Sequence, residues 1–382
     1  MGETSQAGTV VVPYPVLRDI CAEALERAGM AAFDAQAAAE VLATTEAWGV
    51  HTHGAKLLRG YVRRLRAGGL KPLGRPRLAA EGGAWGVVDA DNALGMIGSA
   101  FAMDVAIRKA RAQGIAYVGI RNSCHFGAAG YYAWMAAREG LIGLVMANDM
   151  PTVAAPGSRG AITGSNPIAY AVPAGRQPAM MLDISVAAVA GGKVTAARER
   201  GEPIPEGWLV GQDGRPTNDA SLFPALAALA PAAGHKGYGI ALLVEVLAGV
   251  LPGAAITWGV GSWQASEPGL PTGHGGAFLA IDAASMMPGG AFERRVDALI
   301  DEIHAAPVAD GAERILVPGE LEWERHREAL AHGITLPSDV VASLREAGQI
   351  VGLDIEPRLA CPATAGQPAR EDRTDAHHPL RR

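Results

Sequence analysis

Cysteine is scarce in this 382-residue chain: Cys21, Cys124 and Cys361 are too few and too scattered for a disulfide framework or a Cys-rich zinc site. Charge of one sign is also lacking. The 33 basic and 39 acidic residues are mixed along the chain and leave a net −6, so no basic face for a nucleic acid is expected. No apolar run reaches the roughly 18 residues of a membrane span, so no membrane partner is expected. The opening MGETSQAGTVVVPYP has neither a basic start nor a long apolar stretch, so no signal peptide is expected and the protein is read as cytoplasmic. Two phosphate-binding signatures are missing as well: no G-x-G-x-x-G links an early strand to a helix, and there is no Walker A lysine. A nucleotide-binding fold of the usual kind is thereby disfavoured.

What is present is a hydrophobic content of 49%, ample for a buried core. Val16, Leu17, Ile20, Ala24 and Leu25 have helical spacing, with Gly29 suited to the C-terminal cap. Asp34 is a plausible N-cap for a second helix running to about Trp48. A basic amphipathic helix comes next and stops at Gly68-Gly69. From Arg77 the texture changes to two short strands around Gly82-Gly83, a helix ended by Gly114, and the strand IAYVGIRNS. LIGLVMAND and AITGSNPIAYAVP read as two more strands, and PAMMLDIS as a strand that leads into a helix. GYGIALLVEVLAGVLPGA reads as a long apolar core helix, and GGAFLAID as a late strand. Alternating strands and helices define an α/β fold. The expected organisation is a helical part over 13–76, a central α/β part over 77–282, helices over 283–357 packing back on the first part, and a disordered tail over 358–382.

The chemistry concentrates in RNSCHFGAAGYY, where His125 precedes a helix of small residues. Imidazole is the natural proton carrier near neutrality, and glycine and alanine beside it let backbone and ligand approach. A core histidine bonded to backbone is the plain alternative. His51 and His53 form an H-x-H pair that with His125 makes a candidate metal set, but two histidines alone are weak evidence without convergent geometry, so no metal is expected. Lys236, between glycines at a helix start, is placed to meet an anion, or is simply an exposed lysine at a helix end.

Eight dispersed segments, GVHTHG, DNALG, NSCHFGAAGYY, GSNP, LDIS with Gly192-Lys193, GHKGYG, GHGGAFLAID and VPGE, resemble the malate/L-lactate dehydrogenase group. That group includes ureidoglycolate and sulfolactate dehydrogenases, diketogulonate reductase and piperideine-carboxylate reductase. The resemblance spans roughly residues 13–355 and implies a non-Rossmann, sulfolactate-dehydrogenase-like α/β fold with a mixed sheet. It also implies a homodimer with its active site near the interface, a small-molecule substrate, and NAD or NADP as cofactor. By the same resemblance His125 is the catalytic proton carrier, His53 after Thr52 the second active-site histidine, and Tyr61 a substrate contact. Asp149, Ser165, Asn166, Asp183, Ile184, Ser185, Lys236, Gly237, Gly319 and Glu320 are implied cofactor contacts.

Two departures bear on the substrate. Four residues beyond His53 the family commonly carries an arginine that grips a carboxylate, and this chain has Leu57. Leu57 is expected to make that pocket wall apolar and to shift substrate choice. Asp149 stands where related chains often have serine, and a carboxylate there disfavours a nearby phosphate, which tilts the cofactor towards NAD. The implied activity is hydride exchange between nicotinamide and a small 2-hydroxy or 2-oxo acid, with cyclic ketimine reduction as the alternative. Leu57 also suggests an idle dinucleotide-binding protein, against which both histidines speak.

Overall fold

The computed structural model describes residues 9–360. The chain starts with β1 (Val10–Val12), α1 (Tyr14–Arg27), α2 (Ala32–Ala47) and α3 (Leu58–Ala67). Then come β2 (Arg77–Glu81), β3 (Trp85–Asp89), α4 (Gly95–Gln113), β4 (Ile115–Ser123), α5 (Ala129–Arg138) and β5 (Ile142–Ala147). The middle holds β6 (Val153–Ala154), β7 (Ala161–Thr163), β8 (Ile168–Val172), β9 (Met180–Ile184), α6 (Gly191–Arg200), β10 (Leu209–Gly211), β11 (Pro216–Thr217) and β12 (Ala227–Leu229). The last third is α7 (His235–Val244), β13 (His274–Ile281), α8 (Ala283–Met286), α9 (Ala291–His304), α10 (Glu320–His332), β14 (Ile334–Leu336), α11 (Ser338–Val351) and α12 (Glu356–Leu359).

A seven-stranded mixed sheet in the order β2-β3-β4-β13-β5-β8-β9 forms the centre; only β3 and β4 run parallel in it. β13 lies between β4 and β5, and Ala277, Phe278 and Ala280 are fully buried, as a strand covered on both faces demands. Alanine-rich α4 and α5 pack on this sheet because small side chains let helix and strand axes close up. A second, five-stranded sheet, β11-β10-β12-β6-β7, has its own apolar cluster with α6. α10 packs on α2, α11 on α3, and β14 pairs with β1, so the last helices lie on the first ones.

Several local expectations change. Asp34 sits inside the first turn of α2, and Ala31 occupies the cap; a carboxylate there still suits the helix dipole. AITGSNPIAYAVP is two strands in different sheets, because Asn166 takes a positive φ of 36° and breaks the segment between β7 and β8. The segment read as an apolar core helix is α7 continued by a π-helical turn over Glu245–Val250. Only one side of it is buried, by Ala241, Val244 and Ala248, while Leu243, Val250 and Leu251 are more than half exposed. Arg358 and Leu359 belong to α12, where Arg358 pairs with Glu23, and Ala360 is its C-cap; residues 361–382 of the expected tail lie outside the described residues. Among the described residues no helix is long and apolar enough to cross a membrane.

Candidate active site

The turn after α2 is built on a buried carboxylate. Glu46, 1% exposed, accepts from His51 Nδ1 at 2.5 Å and from the Ala55 amide at 2.7 Å. That pairing turns His51 away, raises its pKa, and leaves His53 on the cleft side with Thr52 Oγ1 at 2.9 Å from its Nδ1. A Cβ at residue 54 would stand 2.2 Å from the Glu46 carboxylate, so the turn tolerates only Gly54.

His125 follows β4 after a single residue, Cys124. Gly95, at the start of α4, allows this approach, since a Cβ there would come within 2.4 Å of the Cys124 and His125 carbonyls. Trp263 stacks on the His125 ring at 4.4 Å between centroids, and the His53 ring lies 5.7 Å away on the cleft side. Tyr61 Oη is 2.8 Å from His125 Nδ1, and the Gly127 amide points at the same nitrogen from 3.4 Å. An amide can only donate, so Nδ1 is an acceptor, Tyr61 donates to it, and the ring proton sits on Nε2. Burial lowers the His125 pKa to about 3; His53 and His274 push the same way, and Asp149 opposes them. Burial lowers His53 too, against the pull of the Asp183 and Asp149 carboxylates. Burial pushes the Tyr61 phenol well up, so it stays protonated.

His53 and His125 open onto a cleft of about 830 Å³, within the range of small-ligand sites. Ser165 and Asp149 line it, with Asn166 behind them. Asn166 Oδ1 accepts from the Asp149 amide, and its Nδ2 donates to Glu245 at 2.9 Å and to the Ala241 carbonyl. Glu245 also receives Asn148 Nδ2 and the Thr257 amide, so a buried carboxylate sets the floor. The Asp149 carboxylate faces His274 Nε2 at 3.1 Å, and this contact, with His125 nearby, keeps its pKa below the usual range despite burial.

The opposite wall is β9 and the segment leading from it into α6. Asp183 Oδ2 accepts from the Gly130 amide at 2.7 Å in the first turn of α5, and Ile184 and Ser185 line the cleft beside it. Gly191, Gly192 and Lys193 bring the uncapped start of α6 into the lining, and Gly319 closes the rim. Free amides, a helix dipole and an ammonium suit a phosphate, so the cleft fits a dinucleotide. Its three carboxylates, Asp149, Asp183 and Glu322, outnumber Lys193, the one lysine or arginine among its described lining residues.

Thr52, His53, His125, Asp149, Ser165, Asp183, Ile184, Ser185 and Gly319 therefore meet in one cleft. The others do not. Tyr61 is fully buried and bonded to His125, so within the protomer it contacts the histidine and not the cleft. Asn166 has no exposed surface. Glu320 turns back to the Val317 amide and His304, and Glu322, two residues on, takes the cleft-facing place. Lys236 and Gly237 stand outside the lining of the single protomer; Gly237 serves a close approach, as a Cβ there would meet the Ala232 carbonyl at 2.2 Å. Leu57 is 4% exposed in the main apolar cluster, so it does not form the wall expected of it. Asp149 lies against His274 and stays ionised in the cleft, so the tilt towards NAD that its charge suggests remains a proposal.

Glu46, Trp263 and Arg64 escape a reading of the sequence alone. Arg64, 2% exposed, donates to the carbonyls of Trp263 at 2.6 Å, Ser262 at 2.7 Å and Leu270 at 2.9 Å, and to Ser266 Oγ at 3.0 Å. It thus holds the loop that carries Trp263. Nothing local marks this, because a basic helix face resembles any solvated one. Among the described residues no group of three His, Cys, Asp or Glu is arranged to hold a metal.

A family model described as malate/L-lactate dehydrogenase matches residues 12–345. A malate dehydrogenase of Pyrococcus horikoshii is 35% identical over 350 residues, 90% of this chain and 96% of that protein. A ureidoglycolate dehydrogenase (NAD(+)) of Escherichia coli O157:H7 is 33% identical, over 85% of this chain and 92% of the relative. The fold matches the solved sulfolactate dehydrogenase of Methanocaldococcus jannaschii with a TM-score of 0.84 and 32% identity, covering 91% and 99% of the two chains.

Proposed function

The chain belongs to the malate/L-lactate dehydrogenase family, and on that premise we propose that it moves a hydride between a nicotinamide dinucleotide and a small 2-hydroxy or 2-oxo acid. One observation carries the reading: two histidines with rings 5.7 Å apart and the phosphate-ready start of α6 share one cleft. When bound, the nicotinamide supplies or takes up the hydride. The protein's part is the proton. With Tyr61 donating to Nδ1, His125 presents Nε2–H to a substrate oxygen that gains charge during reduction. His53, oriented by Thr52, meets the same atom or the substrate's acid group. Gly191, Gly192 and Lys193 would hold the pyrophosphate. A substrate C=N bond in place of C=O requires the same proton at nitrogen, and the carboxylates in the lining favour this second reading.

The test is an absorbance screen at the reduced-nicotinamide band, with NAD and NADP against oxo acids, hydroxy acids and cyclic imines. Turnover of one class with one coenzyme is expected; binding of both coenzymes without any turnover would sink the reading.

We also propose a homodimer. Ile240, Leu243, Val246, Val250 and Leu251 expose an apolar band along α7 and the turn after it, and Trp258 nearby is 69% exposed. Light scattering should give twice the chain mass, and Leu243→Glu with Val250→Glu should halve it. An active monomeric native protein would exclude the dimer requirement.

A further inference from the structure

We propose that Asp149 sets the substrate class of the cleft, by selecting a molecule with an N–H donor beside the reacting carbon and rejecting one with a second carboxylate. This rests on the hydride-transfer reading above. Three observations carry it. First, the two carboxylate oxygens of Asp149 are unequally served. Oδ1 takes the Met150 amide at 2.8 Å and His274 Nε2 at 3.1 Å, while Oδ2 has, among the described residues, only the Ser165 hydroxyl at 3.4 Å. A cleft-lining carboxylate oxygen with one long partner has room for a ligand's donor.

Second, His274 is itself 3% exposed and tied through Nδ1 to Thr272 Oγ1 at 2.8 Å, so Asp149 is held in place. The Asp149 amide bonded to Asn166 Oδ1 fixes its backbone. Third, the lining offers a second anion little. Lys193 is its one ammonium, and Asp183 and Glu322 add to the negative field. A dicarboxylate would bring its far carboxylate into repulsion with Asp149, whereas an iminium or ureido N–H would meet a charge-assisted acceptor. The shared chemistry is the N–H donor, cationic in a cyclic ketimine and neutral in a ureido acid.

The experiment compares native protein with Asp149→Asn and Asp149→Ser. The panel is oxaloacetate, pyruvate, Δ1-pyrroline-2-carboxylate and ureidoglycolate, each with its coenzyme. In the native protein one of the two N–H substrates should exceed oxaloacetate in kcat/KM by at least tenfold, and which one does so separates the cationic from the neutral donor. Both variants should narrow or reverse that ratio by tenfold or more. Loss of Asp149 also removes a carboxylate near His125, so kcat falls alike for every substrate; the ratio between substrates carries the result. Calorimetry with the unreactive analogues pyrrole-2-carboxylate and malonate, at saturating coenzyme, reads the same preference without turnover. Binding preference with no turnover in the panel would support Asp149 and count against the hydride reading. Equal preference in native and variant proteins would overturn the proposal. So would a changed affinity for the coenzyme with unchanged analogue preference, since Asp149 would then serve the coenzyme.

Discussion

Replacing His125 with asparagine is expected to lower kcat by about two to four orders of magnitude, the usual scale for a lost general acid or base. Coenzyme binding, followed by quenching of reduced-nicotinamide fluorescence, should change little, because the α6 start and Gly319 lie on the other wall. Asparagine keeps a polar group against Tyr61 and Trp263, so the cavity cost stays small. His53→Asn is the companion variant. Its ring lies 5.7 Å from His125, and a larger loss there than at His125 would transfer the proton-carrying role to His53. The same histidine gives a stability signature with a definite sign. The pKa of His125 in the fold is near 3, against an ordinary value of about 6.5. Between those values the unfolded chain binds the proton and the folded chain does not, so stability falls as pH drops from about 6.5 to about 3. The urea midpoint of the native protein should therefore drop relative to that of His125→Asn as the pH falls through that window. Parallel lines would mean that the ring is protonated in the fold after all.

The second large effect belongs to Arg64. Arg64→Met should destabilise the protein by about 3 kcal/mol or more, because three part-buried loop carbonyls lose the charged donor that a buried guanidinium supplies. The guanidinium has no carboxylate partner among its described contacts; it is committed to the loop carbonyls of Ser262, Trp263 and Leu270. Lysine supplies one compact charge in place of a planar fork, so Arg64→Lys should recover less than half of the loss. The effect reaches the site through Trp263. Once the loop is released, the His125 ring loses its aromatic cover, water approaches, and its pKa moves up towards the ordinary value. The measurement is paired: denaturant unfolding for stability, and the pH dependence of kcat/KM for the ring. A variant with normal stability would dismiss the clamp. A destabilised variant with an unmoved pH profile would reduce Arg64 to a structural role.

Much of the molecule was legible in the chain alone, for a physical reason. Helices with a regular apolar stripe, such as Val16 to Leu25, and glycines that must take positive φ, such as Gly29 and Gly114, state their structure locally. The same holds for His125 at the end of a β-branched strand, and for the dispersed segments that point to the family. What the chain could not state depends on partners far away in sequence. The exposed side of α7 reads as core because periodicity reports apolarity and not what covers it. Leu57, Asn166 and Glu320 sit among site motifs, yet their side chains turn into the core, to Glu245, and to the Val317 amide. Trp263 reaches His125 across 138 residues, through a loop whose shape comes from Arg64. Residue type determined which groups can carry protons and phosphates. Only the packing of β4, α3 and the 262–270 loop decided which nitrogen of His125 is tied to Tyr61 and which is left to face the cleft.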